Sequence, residues 1–421
     1  MRILFGSVLY PLPTTDGGKM RLWAILRALA NLGHEVTLVS FSKPGDAVGT
    51  EGQLRTGCQD SDIIPMQYTR MSEGGAYLSR LFSLFSSAPF ILNRLHSPEM
   101  REALNRRLRQ GVYDLVICDV FAASNLPATS VPIAICGLNA EHLILLRYVN
   151  QERNPIKKFY VWLEAIKLRR FETRMYSRAD LAIACSNQDV NIFRKLCPEV
   201  QFSVVPNVVD IREYEVSQLE DSHDEDPSAI IHVGGLDWFP NRDSLEYFVR
   251  DIFPLVQREC SSIRLIVAGR NPTPELRAQF SHLPSIEFTG TVPDLRPVIA
   301  EAAVSVIPLR IGSGTRMKIL EGGAMGKAMV STSVGAEGLD FVPGKEILIA
   351  DTPEQFAASI VELLRDPVRR RRLGEAARQR VCADYAMVAL ETSIMTALSA
   401  MDRRNLPTSD QNTAQVLLDK G

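Results

Sequence analysis

The sequence contains no apolar run near the 18 or so residues that a membrane-crossing helix needs, so no transmembrane helix is expected. The apolar stretch in Met1-Arg-Ile-Leu-Phe-Gly6 is too short for a signal peptide. There is no C-x-x-C pair. The seven cysteines (Cys58, Cys118, Cys136, Cys185, Cys197, Cys260 and Cys382) are scattered and odd in number; Cys118, Cys136 and Cys185 lie in apolar strand-like runs and read as small buried side chains, and a reducing cytosol fits. The six histidines show neither H-x-x-x-H nor H-E-x-x-H spacing, which argues against a zinc site. An excess of one charge is also missing: 47 basic residues face 49 acidic ones, and a net charge of −2 argues against general nucleic-acid binding. What remains is an ordinary soluble composition, 46% apolar and 23% charged over 421 residues, enough for two or three domains with real cores.

Strand-like and helix-like segments alternate along the chain. Residues 2–5 and 35–40 read as strands around a helix at 20–32, which carries Leu22, Ile25, Leu26 and Leu29 on one face. Residues 43–62 read as a loop, and 74–110 as helical with breaks at Pro89 and Pro98. Strands follow at 114–118, 133–136, 180–185 and 202–205, with a long basic and aromatic helix over 156–177. Pro206-Asn207 ends this series, and the acidic stretch 216–228 reads as an exposed connector. A second series begins at Ala229-Ile-Ile-His-Val233 and continues with strands at 263–268, 286–288, 304–307, 328–331 and 346–350. The fold class is therefore α/β, with two Rossmann-like doubly wound domains in series and a cleft expected at the carboxyl ends of their strands. The expected boundaries are 1–208, 209–385, a C-terminal helix over 386–404 and a flexible tail over 405–421.

The stretch from Arg310 to Gly326, RIGSGTRMKILEGGAMG, carries the strongest chemical signal. It follows an apolar strand and opens a helix through a Gly/Ser/Thr loop, Gly312, Ser313, Gly314 and Thr315. Such a loop presents backbone N–H groups at the positive end of a helix, where phosphate is favoured. Arg310, Arg316 and Lys318 add positive charge, and the Glu321 carboxylate suits a ribose diol. The pattern reads equally as a plain strand–loop–helix connection with a solvated basic face. Each domain also begins with a strand followed by glycines: Gly17 and Gly18 in the first, Gly234 and Gly235 in the second. Neither loop spells a dinucleotide or P-loop fingerprint, so a tight turn and a ligand approach both stay open. His142 follows a buried strand, where it can meet a sugar or serve as a capping histidine. His34 and His232 read as structural.

These motifs together resemble the retaining glycosyltransferases of family 4, which have the two-Rossmann-domain GT-B fold. The resemblance rests on Pro13-x-x-Asp16-Gly-Gly18, Gly33-His-Glu-Val36, Asn139-Ala-Glu141, Val205-Pro-Asn-Val-Val-Asp210 and Val233-Gly-Gly-Leu-Asp-Trp-Phe-Pro-Asn241. It also rests on 308–326 and Gly335-Ala-Glu-Gly338. It implies a nucleotide-diphosphate sugar as co-substrate in the second domain and a glycan or lipid-linked acceptor in the first, with Gly17 and Gly18 on the acceptor side. No other cofactor is implied. Glu321 matches the second acid of the family's E-x7-E motif, and the first acid falls at Ser313. The family's diphosphate arginine falls at Gly235 and its lysine has no clear match, so Asn241, Arg242 and Arg270 are the substitutes. The family histidine aligns near Leu138, four residues before His142. The resulting candidates are Glu321, His142, Arg316 and Lys318 for catalysis. Gly234, Gly235, Asn241, Arg270, Gly312, Ser313, Gly314, Thr315 and Glu321 are the candidates for donor binding.

The resemblance also implies no metal. Asp60-Ser-Asp62 spells the D-x-D of metal-dependent sugar transferases, and Asp224-Glu-Asp226 is a second acidic run, but both read as solvated loops. The basic helix 156–177 can suit an anionic membrane surface, though an outer helix with its aromatic side in the core is slightly preferred. A cytoplasmic location is expected, with contact at the inner face of the membrane if the acceptor is lipid-linked. The competing readings are a nucleotide-sugar epimerase, an NAD(P)-dependent dehydrogenase and a non-catalytic GT-B homologue acting as a partner subunit or sugar-binding module.

Overall fold

The computed structural model describes residues 1–46, 48–66, 80, 83–214 and 225–405, with side chains through 401. The expected tail beyond Asn405, most of the acidic connector and the first part of the 74–110 region lie outside the described residues. The chain divides into two compact units. One comprises Met1–Ala140, Leu163–Pro206 and the C-terminal helix from Val388. The other comprises Glu141–Trp162 and Asn207–Met387.

In the first unit, seven strands form one sheet: β1 (Arg2–Ser7), β2 (Glu35–Ser42), β3 (Asp60–Pro65), β4 (Leu115–Asp119), β5 (Ile133–Cys136), β6 (Leu181–Ala184) and β7 (Phe202–Val204). Their order is β3-β2-β1-β4-β5-β6-β7, and every pairing is parallel. β4 and β6 are buried along their whole length, as apolar runs covered on both faces should be. The helices start where polar caps permit. Asp16 accepts from the Lys19 amide and opens the helix Gly17–Asn31, and Ser97 accepts from the Met100 amide.

Two expectations are corrected along this part of the chain, over 43–62 and in the helix Pro155–Tyr176. Residues 43–62 are not all loop, because they hold the short helix Glu51–Leu54 and the start of β3. β3 is an edge strand with carboxylates at Asp60 and Asp62, the device that keeps an edge from pairing further, and those charges hid it from an apolar-pattern reading. Pro98 marks a break as expected, between the helices Leu92–Leu95 and Pro98–Gln110. It is the first residue of the helix Pro98–Gln110, where its missing N–H costs nothing. The helix Pro155–Tyr176 does not bury its leading aromatic side: Ile156, Phe159 and Trp162 are 81%, 60% and 44% exposed. Its packed face comes later, from Ala165 through Leu168 and Phe171 to Tyr176, and Lys167 is buried there in an ion pair with Glu164 at 2.8 Å.

The second unit repeats the plan with six strands: β8 (Asp226–Val233), β9 (Arg264–Ala268), β10 (Ile286–Gly290), β11 (Ala302–Ile307), β12 (Ala328–Ser331) and β13 (Leu348–Ile349). The order is β10-β9-β8-β11-β12-β13, again all parallel. Its core gathers Ile230, Leu265, Val304 and Val330 from the strands with Phe248, Phe253, Phe356 and Ile360 from the helices. Two parallel Rossmann-like sheets of this kind constitute the GT-B architecture. In each, the strand order reverses between the first and fourth strands, and ligands of open α/β sheets bind at that switch point, beyond the carboxyl ends of the strands.

Candidate active site

In the second unit the switch point lies between β8 and β11, and the loops that follow these two strands are the ones singled out by sequence. After β11, the chain runs through Gly312, Ser313, Gly314 and Thr315 into the helix Met317–Ala324. Gly314 has φ 71°, a conformation that costs a side-chain-bearing residue about 1 kcal/mol or more. At Gly312 a Cβ would sit 2.5 Å from the Arg316 guanidinium, so only glycine lets that side chain fold over the loop. Arg316 donates to the carbonyls of Ser313 and Gly314, and to that of Val334 at 3.3 Å. Within each peptide plane the N–H points opposite to the C=O. The Gly314 and Thr315 N–H groups therefore face away from this guanidinium, and among the described residues neither meets an acceptor. Thr315 is fixed from its side chain, where Asn207 Nδ2 donates to Oγ1 at 2.7 Å.

Lys318 and Glu321 project from the helix that this loop opens. Lys318 Nζ donates to Asn241 Oδ1 at 3.0 Å, and Asn241 Nδ2 donates to the Gly235 carbonyl at 2.9 Å. The loop after β11 is thereby joined to the loop after β8. Burial and the neighbouring Arg316 charge push the Lys318 ammonium down to about 7, and Glu321 opposes them. Glu321 Oε1 accepts from the Tyr214 hydroxyl at 3.1 Å, and burial raises its carboxyl above the ordinary range. Arg270, at the end of β9, lies beside Gly235, where a Cβ would be 3.3 Å from its Nε, and it pairs with Asp237 at 3.2 Å. An anion entering here would meet two open backbone donors, an ammonium able to gain charge and a carboxylate suited to hydroxyl groups.

Other expected residues stand elsewhere. Arg310 does not add free charge to the loop, because it makes a bidentate pair with Asp243 at 2.6 and 3.1 Å and stacks over the Tyr247 ring. His142 is the second residue of the helix Glu141–Gln151 and is buried. Gly17 and Gly18 open the first helix of the first unit. His232 is a core histidine bonded to Ser244 at 3.0 Å, and burial and the Lys318 charge push its imidazole down to about 3. The D-x-D carboxylates are held by arginines: Arg107 takes both oxygens of Asp62 at 2.7 and 2.9 Å and also pairs with Asp60, and Arg106 adds a contact to Asp62 at 2.9 Å. In the second acidic run, Glu225 pairs with Lys327 and Arg370, and Asp226 with Arg264.

Residues 15–213 match the model of the family described as Glycosyltransferase Family 4, and residues 227–366 match that of Glycosyl transferases group 1. Both models describe glycosyltransferases, and together they support a glycosyltransferase. An uncharacterized 44.6 kDa protein of the cps region of Klebsiella pneumoniae is 22% identical over 375 residues, 86% of this chain and 90% of its own. The fold of sucrose-phosphate synthase from Thermosynechococcus elongatus superposes with a TM-score of 0.72 at 18% identity, covering 95% of this chain and 98% of that one. HepE of Anabaena, solved with UDP-glucose, gives a TM-score of 0.65 at 16% identity over 95% of this chain and all of its own. The structural matches establish the GT-B fold.

Two residues of this glycosyltransferase escaped the sequence reading. Arg147, on the helix Glu141–Gln151, donates to the Gly312 carbonyl and makes a bidentate pair with Glu337. Glu337 sits in the Gly335-Ala-Glu-Gly338 turn, 4.0 Å from Arg316. That turn had been singled out only as a stretch of family likeness. The partner 190 positions away has no signal in local sequence.

Proposed function

We propose that this glycosyltransferase moves a sugar from a nucleotide-diphosphate sugar to a hydroxyl acceptor, with retention at the anomeric carbon and without a bound metal. The bond from the anomeric carbon to the diphosphate breaks, a bond to the acceptor oxygen forms, and the acceptor proton passes to the departing diphosphate. The acceptor attacks from the face that the leaving group vacates. On this reading the diphosphate lies on the Gly314 and Thr315 N–H groups and the start of the helix Met317–Ala324. Lys318 and Arg270 supply cations in place of the family arginine that falls at Gly235 and the family lysine that has no clear match. Glu321 takes the ribose hydroxyls, and His142 stands toward the donor sugar.

The observation that carries the reading is the pair of unpartnered, oriented loop N–H groups beside Lys318 at the switch point. Donors fixed before the reaction stabilise charge developing on the leaving group without reorganising. The UDP-glucose complex of HepE favours a nucleotide sugar as donor, and the cps-region relative favours polysaccharide or glycolipid assembly. Both favour a transferase over an epimerase or a non-catalytic partner subunit. A lipid-linked acceptor would bring the exposed Ile156, Phe159 and Trp162, flanked by Lys157 and Lys158, to an anionic membrane surface. No helix among the described residues is long and apolar enough to cross a membrane.

The test is thermal-shift screening against UDP-, GDP- and ADP-sugars, since a ligand that binds only the folded state raises the melting temperature. A rise with one class, at concentrations well above its Kd, is expected. No rise with any class would overturn the donor reading.

A further inference from the structure

We propose that Arg147 is a positioning residue of the donor site, which aims the loop 312–315 at the diphosphate by holding its carbonyl side from behind. The inference rests on the donor reading above and adds a residue from a distant helix to it.

Three successive carbonyls of the loop are held by two guanidinium groups. Arg147 takes that of Gly312, and Arg316 takes those of Ser313 and Gly314. Each held carbonyl turns the following N–H the other way. Arg147 therefore sets the first plane of the series, and Arg316 sets the next two. Glu337 lies between the two cations, bidentate to Arg147 at 2.6 Å on one oxygen and 4.0 Å from Arg316. Both arginines and the glutamate are mostly buried, with side-chain exposures of 20%, 10% and 10%. A fork-to-carboxylate pair of this kind fixes orientation as well as charge, which a lysine cannot reproduce.

The helix carrying Arg147 is itself anchored to the other donor loop. Its next residue, Tyr148, meets the Phe239 ring edge-on at 5.2 Å, and Phe239 begins the helix Phe239–Tyr247 that follows Gly234 and Gly235. One helix thus touches the elements after β8 and β11 together. Arg147 faces the loop from its carbonyl side, so its part is to fix the first plane, from which the Gly314 and Thr315 planes held by Arg316 follow.

The test compares wild type with Arg147→Ala, Arg147→Lys and Glu337→Gln. Calorimetry gives Kd for UDP, GDP and ADP and for the matching nucleosides, and thermal melting reports the fold. The expected result is a nucleoside-diphosphate Kd at least about tenfold higher for both Arg147 variants, which is 1.4 kcal/mol, with a smaller rise for Glu337→Gln. Nucleoside affinity should stay unchanged, because the ribose contact at Glu321 does not pass through this loop. A merely structural arginine would weaken nucleoside and nucleotide alike, and full rescue by lysine would also overturn the proposal. Unchanged diphosphate binding in Arg147→Ala would overturn it while leaving the donor site standing. If wild type binds none of the three diphosphates, the donor reading fails and this inference fails with it.

Discussion

The two sheets share one strand order up to the sixth strand, yet their switch points are finished in opposite ways. In the first unit four backbone donors at the switch are taken by the chain's own carboxylates. Asp119, at the end of β4, accepts from the amides of Val8 at 2.6 Å, Phe121 at 2.9 Å and Ala122 at 2.8 Å. Asp16 takes the Lys19 amide at 3.0 Å. In the second unit the corresponding loops leave N–H groups of Gly314 and Thr315 open, with Lys318 on the helix that follows and Arg270 beside Gly235. A phosphate would be repelled at the first switch point and attracted at the second. The same scaffold thus presents a carboxylate at one switch point and a candidate anion site at the other.

The comparison is broken most forcefully at Asp119. Removing it leaves three amides in a buried setting without acceptors, so Asp119→Ala should lower stability by about 3 kcal/mol or more. Thermal and urea melts measure this, and a loss under about 1 kcal/mol would mean that water replaces the carboxylate. The counterpart in the second unit is Lys318→Ala, expected to lower kcat/KM by about a hundredfold, near 2.7 kcal/mol, while the melting temperature holds or rises because a desolvated ammonium is removed. Glu321→Ala should weaken donor binding by roughly 1–3 kcal/mol, the cost of a charged hydrogen bond to ribose. Calorimetry that finds donor affinity unchanged, with the fold intact, would remove Glu321 from the site.

Two milder tests sharpen the contrast. In the empty protein Lys318 loses its proton above about pH 7. A bound diphosphate favours the charged form, so binding takes up a proton above that pH. Affinity for a nucleotide sugar should therefore fall as pH rises from 7, by at most about tenfold per unit. A flat profile from pH 7 to 9 would show that Lys318 is not beside the diphosphate. Excess chelator should have no effect on turnover, since Asp60 and Asp62 are engaged by Arg106 and Arg107 and fixed cations serve the leaving group. Loss of activity restored by Mg²⁺ or Mn²⁺ would return the D-x-D pair to the mechanism.

Most of the fold was legible in the sequence, because β1, β5, β11 and β12 are largely apolar runs, as parallel buried strands require, and Pro132, Gly137 and Pro308 mark ends of β5 and β11. β3 was not, because its Asp60 and Asp62 look like loop residues until Arg107 is placed opposite them. The 312–321 segment was legible because its glycines, cations and acid are contiguous. What could not be read was which counter-ion each charge would find. Arg310 turned to Asp243, and Arg147 to Glu337, over separations of 67 and 190 residues. Those pairings depend on the order in which the strands assemble. Asp119 shows the same limit: the strand 114–118 before it was legible, and its three amide partners were not.

Hydrogen–deuterium exchange with and without the nucleotide sugar selected by thermal shift tests the contrast between the two switch points most directly. Slowed exchange over 312–318 and 234–241, with 8–19 and 119–122 unchanged, is the predicted result. Protection confined to 8–19 and 119–122 would place the nucleotide in the first unit and contradict the account.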